Sequence, residues 1–160
     1  MKNLKAKLSA YDWGGDRGAL YELDELILNA QSDAKQLAEI ERVLIETLKS
    51  GVKVAAVDYI CRQLALIGTR RAVPVLAKRL QDEDLFDRAL YALDAIPDEA
   101  AGRALRKALS KAQGDLRVGI VNSLGDRRDK KAVSVLTSLR DDSDATLSRA
   151  VESALRKIGS

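Results

Sequence analysis

Apolar residues recur every three or four positions along most of this chain, the spacing that gathers them on one face of an α-helix. Ile60, Leu64 and Ile67 define one such face, and Val73, Leu76 and Leu80 the next. Setting Leu64, Leu93, Leu124 and Leu155 in register reveals a repeat, with Ile60, Ala89, Ile120 and Val151 four residues before these anchors. Eight residues after the first three stand Ala72, Ala101 and Ala132, and twelve after stand Leu76, Leu105 and Leu136. Sixteen after come Leu80 and Leu109, with Leu139 one place early in the third copy. The anchors lie 29, 31 and 31 residues apart, room for two short helices per copy. A helical hairpin of that size cannot bury its apolar face alone, and stacking on its neighbours covers it.

Short breaks separate the helices. Gly68–Thr69, Pro97–Asp98 and Gly125–Asp126 fall within copies. Glycine there suits a left-handed helix end, and proline suits the first turn of the next helix. Acidic breaks at 81–84, 113–115 and 141–144 fall between copies, and their aspartates suit the open N–H groups and the dipole of the following helix. Ahead of residue 52 the pattern is less regular. One helix is expected from about Asn3 to Tyr11, another from Asp16, and a third from Ser32 or Asp33 to Gly51, for about ten helices in all. With no linker rich in Pro, Gly or Ser, a single domain over 1–160 is predicted, with divergent capping helices in 1–51 and clear repeats in 52–160. Trp13, the only tryptophan, is expected to seal the exposed end of the stack, the alternative being an aromatic contact to a ligand or peptide.

The segments "AVDYICRQLALIGTRRAVPVLAKRLQDED" (56–84), "RALYALDAIPDEAAGRALRKAL" (88–109), "LRVGIVNSLGDRRDKKAVSVLTSLRDD" (116–142) and "RAVESALRKIGS" (149–160) resemble the short HEAT-like repeats of phycobilisome lyases and many bacterial multidomain proteins. The resemblance covers about 52–160. It implies an all-α fold, a right-handed α-solenoid of stacked helical hairpins, whose second helices line a concave surface of the kind solenoids use for binding. Some relatives of this type are bilin lyase subunits, others are fused to enzyme domains, and related solenoids bind DNA. Their iron-binding members need His-Glu pairs, which a chain with no histidine cannot supply.

Composition narrows the chemistry. The absence of histidine removes the usual general base, a common zinc ligand and the Ser-His-Asp arrangement. One cysteine, Cys61, rules out an intramolecular disulfide framework and fits a reducing, cytoplasmic setting. Its helical position marks it as a buried thiol without an activating base. The N-terminal residues lack the apolar run of a secretory signal, and no segment reaches the roughly 20 apolar residues of a membrane span. Lys and Arg number 27 against 24 Asp and Glu, and the signs are interspersed. That differs from the clustered basic face of a nucleic-acid binder. The acidic breaks lack the ligand spacing and central glycine of a calcium loop.

Two sets of residues stand out. Two before the anchors are Arg62, Tyr91, Asn122 and Ser153, and six before are Asp58, Asp87 and Arg149, with Val118 in the third copy. Residues four apart share one helix face. Stacking aligns these columns into a candidate partner-binding stripe on the concave side, and the alternative is a merely solvated face. Arg70, Arg71, Arg127, Arg128, Lys130 and Lys131 form the second set, candidate anion contacts in the turn between helices. Another copy fills that slot with Asp98 and Glu99, which would interrupt a basic ridge within about one Debye length, roughly 10 Å. An ordinary polar surface turn explains the slot more simply than an anion ridge, and the rim of a protein-partner contact is the third reading.

The expectation is therefore a monomeric, non-enzymatic scaffold binding a protein or peptide partner, with no cofactor, metal or membrane contact. Alternatives are an engineered or excised repeat scaffold without a native partner, a nucleic-acid-binding solenoid, and an accessory subunit of a lyase or other enzyme.

Overall fold

Residues 3–159, which the computed structural model describes, form ten α-helices and one 3-10 turn, with no strand among them. The helices are α1 (Leu4–Ala10), α2 (Gly18–Asn29), α3 (Ala34–Lys49), α4 (Val54–Ile67), α5 (Val73–Arg79), α6 (Phe86–Ala95), α7 (Glu99–Leu109), α8 (Gly114–Asp126), α9 (Val133–Thr137) and α10 (Ala145–Gly159). The 3-10 turn, Lys130–Ala132, leads into α9.

Helices two apart in the chain are neighbours in space: α4 packs on α6, α6 on α8, and α8 on α10, while α3 touches α5 and α5 touches α7. Across the acidic breaks, α5 packs on α6, α7 on α8 and α9 on α10. The repeat columns supply the buried contacts. Leu64, Leu93 and Leu124 are fully buried, as are Ile60, Ala89, Ile120, Val151, Ala72, Ala101, Ala132, Leu76, Leu105 and Leu136. They belong to one apolar cluster running from Leu4 to Ile158. Burial of this kind, about 25 cal/mol per Å2 of apolar surface, is the main force holding such helices together.

Several local expectations are corrected. Leu155 is only partly buried, and Ala154 beside it is the residue that packs inward. Gly125 does not end its helix; it lies inside α8, where a Cβ would stand 2.7 Å from the Ala154 Cα on α10, so that close approach is what requires glycine. The left-handed residue that stops α8 is Arg128 (φ 51°). Its N–H bonds Gly125 O (2.9 Å) and the Asp129 N–H bonds Leu124 O (3.0 Å), the pattern of a Schellman C-cap. Gly68 ends α4 in an extended conformation (φ −67°, ψ 141°), not a left-handed one. Pro97 precedes the cap Asp98 rather than entering the first turn of α7. Trp13 seals nothing: it is 59% exposed, and Leu4, Leu8, Leu20 and Leu23 fill that end of the core.

The acidic caps form in part. Asp33 Oδ1 accepts from Lys35 N and Gln36 N, and Asp144 Oδ1 from Thr146 N and Leu147 N, closing the starts of α3 and α10. By contrast α6 and α8 begin without a side-chain cap.

A regular seam joins the row of even-numbered helices. The residue after each anchor faces the residue before the next: Asp94 accepts from Ser123 Oγ (2.6 Å), and Gly125 meets Ala154. Taking Leu23 as the anchor of α2 extends the seam, since Asp24 accepts from Gln63 Nε2 (3.0 Å) and from the Tyr59 hydroxyl. Thus α2 lies beside α4 in the same register, although its anchor is 41 residues from Leu64.

Candidate functional site

The predicted stripe lies on α4, α6, α8 and α10, opposite the buried anchors. Arg62, Asp87, Tyr91, Asn122 and Arg149 are exposed, and Asp58 and Ser153 are half-buried. Four of the seven surround one depression of about 490 Å3 between α4 and α6: Asp58, Arg62, Asp87 and Tyr91, with Cys61 and Arg88 completing its lining. Asn122, Arg149 and Ser153 do not line it; the Arg149 Nε instead donates to Ala145 O on its own helix.

Sequence reading missed Arg88, which ties the depression together. Asp58 pairs with Arg62 one turn along α4 and lies 3.2 Å from the Arg88 Nε on α6. Arg88 also donates from Nη1 to Asp84 O (2.7 Å). The signal available was an arginine one place after the Asp87 column, within reach of the preceding copy's aspartate. Asp87 itself makes no ion pair among the described residues. Beneath them, burial pushes the Cys61 thiol up to about 12, against smaller opposing effects of Arg79 and Arg88. The group is therefore a protonated packing residue at neutral pH.

The basic turns divide into engaged and free residues. Arg127 reaches back to the end of α6, where Nη1 donates to Leu93 O (2.9 Å), Asp94 O (2.7 Å) and Ile96 O (2.7 Å), and Nη2 to Asp98 O (3.1 Å). The first three are carbonyls that the C-terminus of α6 leaves open, while Asp98 O, at the start of α7, also accepts from Ala101 N (3.1 Å). Arg127 is thus a helix cap and is not free for an external anion. Lys131 Nζ lies 3.2 Å from Glu99 Oε1. Glu99 also binds Arg103 and Arg106, and these cations hold its carboxyl down at about 2. Arg106 further pairs with Asp129, which sits over Gly102, where a Cβ would stand 2.6 Å from Asp129 Oδ2. Arg70, Arg71, Arg128 and Lys130 remain exposed, with no ion pair among the described residues.

Glu41 is a second feature missed. It is 1% exposed and accepts from Thr69 N (2.6 Å) and Thr69 Oγ1 (2.8 Å), fastening the turn after α4 to α3. Only knowledge that α3 abuts that turn would have paired them. The acidic breaks act as turns, Asp82 accepting from Asp84 N and Asp142 from Asp144 N. No group of three or more metal-ligating side chains converges among the described residues, and no helix there is long and apolar enough to cross a membrane.

No protein-family model matches the chain, and no curated protein matches it either.

Proposed function

We propose that the chain is an α-solenoid of stacked HEAT-like hairpins acting as a non-enzymatic scaffold, and that it binds a protein partner along the face of its even-numbered helices. The observation carrying this reading is the division of labour within each of those helices. In α4, α6 and α8 the anchor columns hold aliphatic residues at full burial, while the stripe opposite varies in type from Asp to Tyr to Asn and is half-buried to exposed. The packing of α4 on α6, α6 on α8 and α8 on α10 supports a shared face, and Asp58, Arg62, Asp87 and Tyr91 meet in one depression on it. Variation over a constant frame is what a recognition surface requires.

Affinity capture tests it. The wild type is compared with a face variant (Asp87→Lys, Tyr91→Ala, Asn122→Lys, Arg149→Glu) and a turn variant (Arg70, Arg71, Arg128 and Lys130 to Glu), with bound proteins read by mass spectrometry. A partner lost by the face variant and kept by the turn variant is the expected result. Loss by the turn variant alone, with binding to duplex DNA or RNA that falls steeply with salt, would replace it with nucleic-acid recognition.

A further inference from the structure

The depression between α4 and α6 is asymmetric in charge. Asp58 lies between the guanidiniums of Arg62 and Arg88, and the Arg88 Nη1 is engaged by Asp84 O. The depression is lined by two carboxylates and two guanidiniums, and both guanidiniums pair with Asp58. The carboxylates of Asp84 and Asp87 make no ion pair among the described residues, so the carboxylates open to an incoming cation lie at the start of α6. One turn beyond Asp87 the Tyr91 ring is 58% exposed. An open aromatic face attracts a cation, and the molecule already uses this contact once, with the Arg17 guanidinium carbon 5.5 Å from the Tyr21 ring centroid.

The depression also has a direction. Along α4 the stripe runs from the half-buried Asp58 to the exposed Arg62 and Leu66, and along α6 it runs through the exposed Asp87, Tyr91 and Ala95, at four-residue steps. Both series pass from charged to apolar, and Leu66 is 73% exposed, the most open large apolar residue described. Successive turns are about 5.4 Å apart. A segment lying along this surface meets carboxylates first, an aromatic face next, and an aliphatic shelf about two turns after the carboxylates.

We infer that the α4–α6 depression receives a lysine or arginine side chain from a basic, amphipathic segment of a partner protein. The cation sits between Asp87 and the Tyr91 ring, and an apolar residue farther along the segment rests on Leu66. This rests on the reading of the face as a partner site and adds the partner's chemistry and its orientation.

The test is fluorescence anisotropy with two labelled peptides, one repeating Lys-Ala-Ala-Leu and its counterpart repeating Glu-Ala-Ala-Leu, added to the full chain and to variants whose thermal melts match the wild type. The Lys peptide is expected to bind at least about tenfold more tightly than the Glu peptide. Asp87→Asn and Tyr91→Ala should each weaken it by about threefold to fivefold, the scale of an exposed ion pair or cation–π contact. Asp87→Lys should shift preference toward the Glu peptide, a reversal that loss of folding cannot imitate. Absence of binding by either peptide, preference of the wild type for the Glu peptide, or indifference of the Lys peptide to all three variants would overturn the inference. The capture experiment separates the two readings: a partner that depends on Asn122 and Arg149 but not on Asp87 and Tyr91 preserves the binding face and removes this subsite.

Discussion

The α4–α6 and α8–α10 pairs use the same repeat columns and present different surfaces. At the α8–α10 seam Gly125 meets Ala154, so the two backbones approach closely. Above that seam stand the small polar side chains of Asn122 and Ser153. At the equivalent α4–α6 positions stand Ala65 and Ala92, and the surface above them is Asp58, Arg62, Asp87, Arg88 and Tyr91 around a depression. The packing columns set where helices lie, whereas the residues two and six places before each anchor set the chemistry of the face proposed to bind a partner. On the proposed function, stability and recognition reside in different columns of one repeat, which substitutions can separate.

The largest expected effect is at an anchor. Leu124→Ala, at a fully buried site, should cost about 2–5 kcal/mol in denaturant unfolding. Arg62→Ala and Asn122→Ala, in the stripe column, should each change stability by less than about 0.5 kcal/mol. Equal losses in the two columns would erase the distinction.

Gly125→Ala probes the closed seam. Alanine has the better helix propensity by up to about 1 kcal/mol. A Cβ 2.7 Å from a backbone atom of Ala154 outweighs that gain, since overpacking costs about 1–3 kcal/mol. A lowered melting temperature is expected; a raised one would mean α10 can move aside freely. Arg127→Ala, which strips the Leu93, Asp94 and Ile96 carbonyls at the end of α6 of this donor, should cost about 1–3 kcal/mol. Its neighbour Arg128, held at φ 51°, should behave oppositely: Arg128→Gly is expected to stabilise by up to about 1 kcal/mol.

The smallest effect concerns pH. Arg103, Arg106 and Lys131 lower the Glu99 carboxyl from the usual 4.5 to about 2. A depressed folded value means that this pairing stabilises the fold above 4.5 and is lost as pH falls from 4.5 toward 2. Glu99→Gln should flatten that part of the acid-unfolding profile and leave the profile above pH 6 parallel to wild type.

Much of the packing was legible because it repeats. Leu64, Leu93 and Leu124 declare themselves by spacing, and the start of α3 at Asp33 follows from cap chemistry. What escaped depends on contacts between copies. Gly125 looks like a helix end until its distance to Ala154 is known, and Arg127 looks like a surface charge until the end of α6 comes within its reach. The place of α2 was hidden because its anchor falls outside the period of about 30 residues, leaving only Asp24, Tyr59 and Gln63 to mark the join. Leu155 slipped by one residue because Ala154, against Gly125 of α8, takes the inward place on α10. For the stripe, spacing placed Asp58, Arg62, Asp87 and Tyr91 on one face, while the engagement of Asp58 by Arg88, and the consequent isolation of Asp87, required side-chain geometry.

Hydrogen exchange of the chain with and without its captured partner tests the central claim most directly. Slowed exchange concentrated on α4 and α6, extending to α2 or α8, is the predicted result. Slowed exchange confined to α5, α7 and α9, or to the turns at Thr69–Arg71 and Arg127–Lys131, would contradict it.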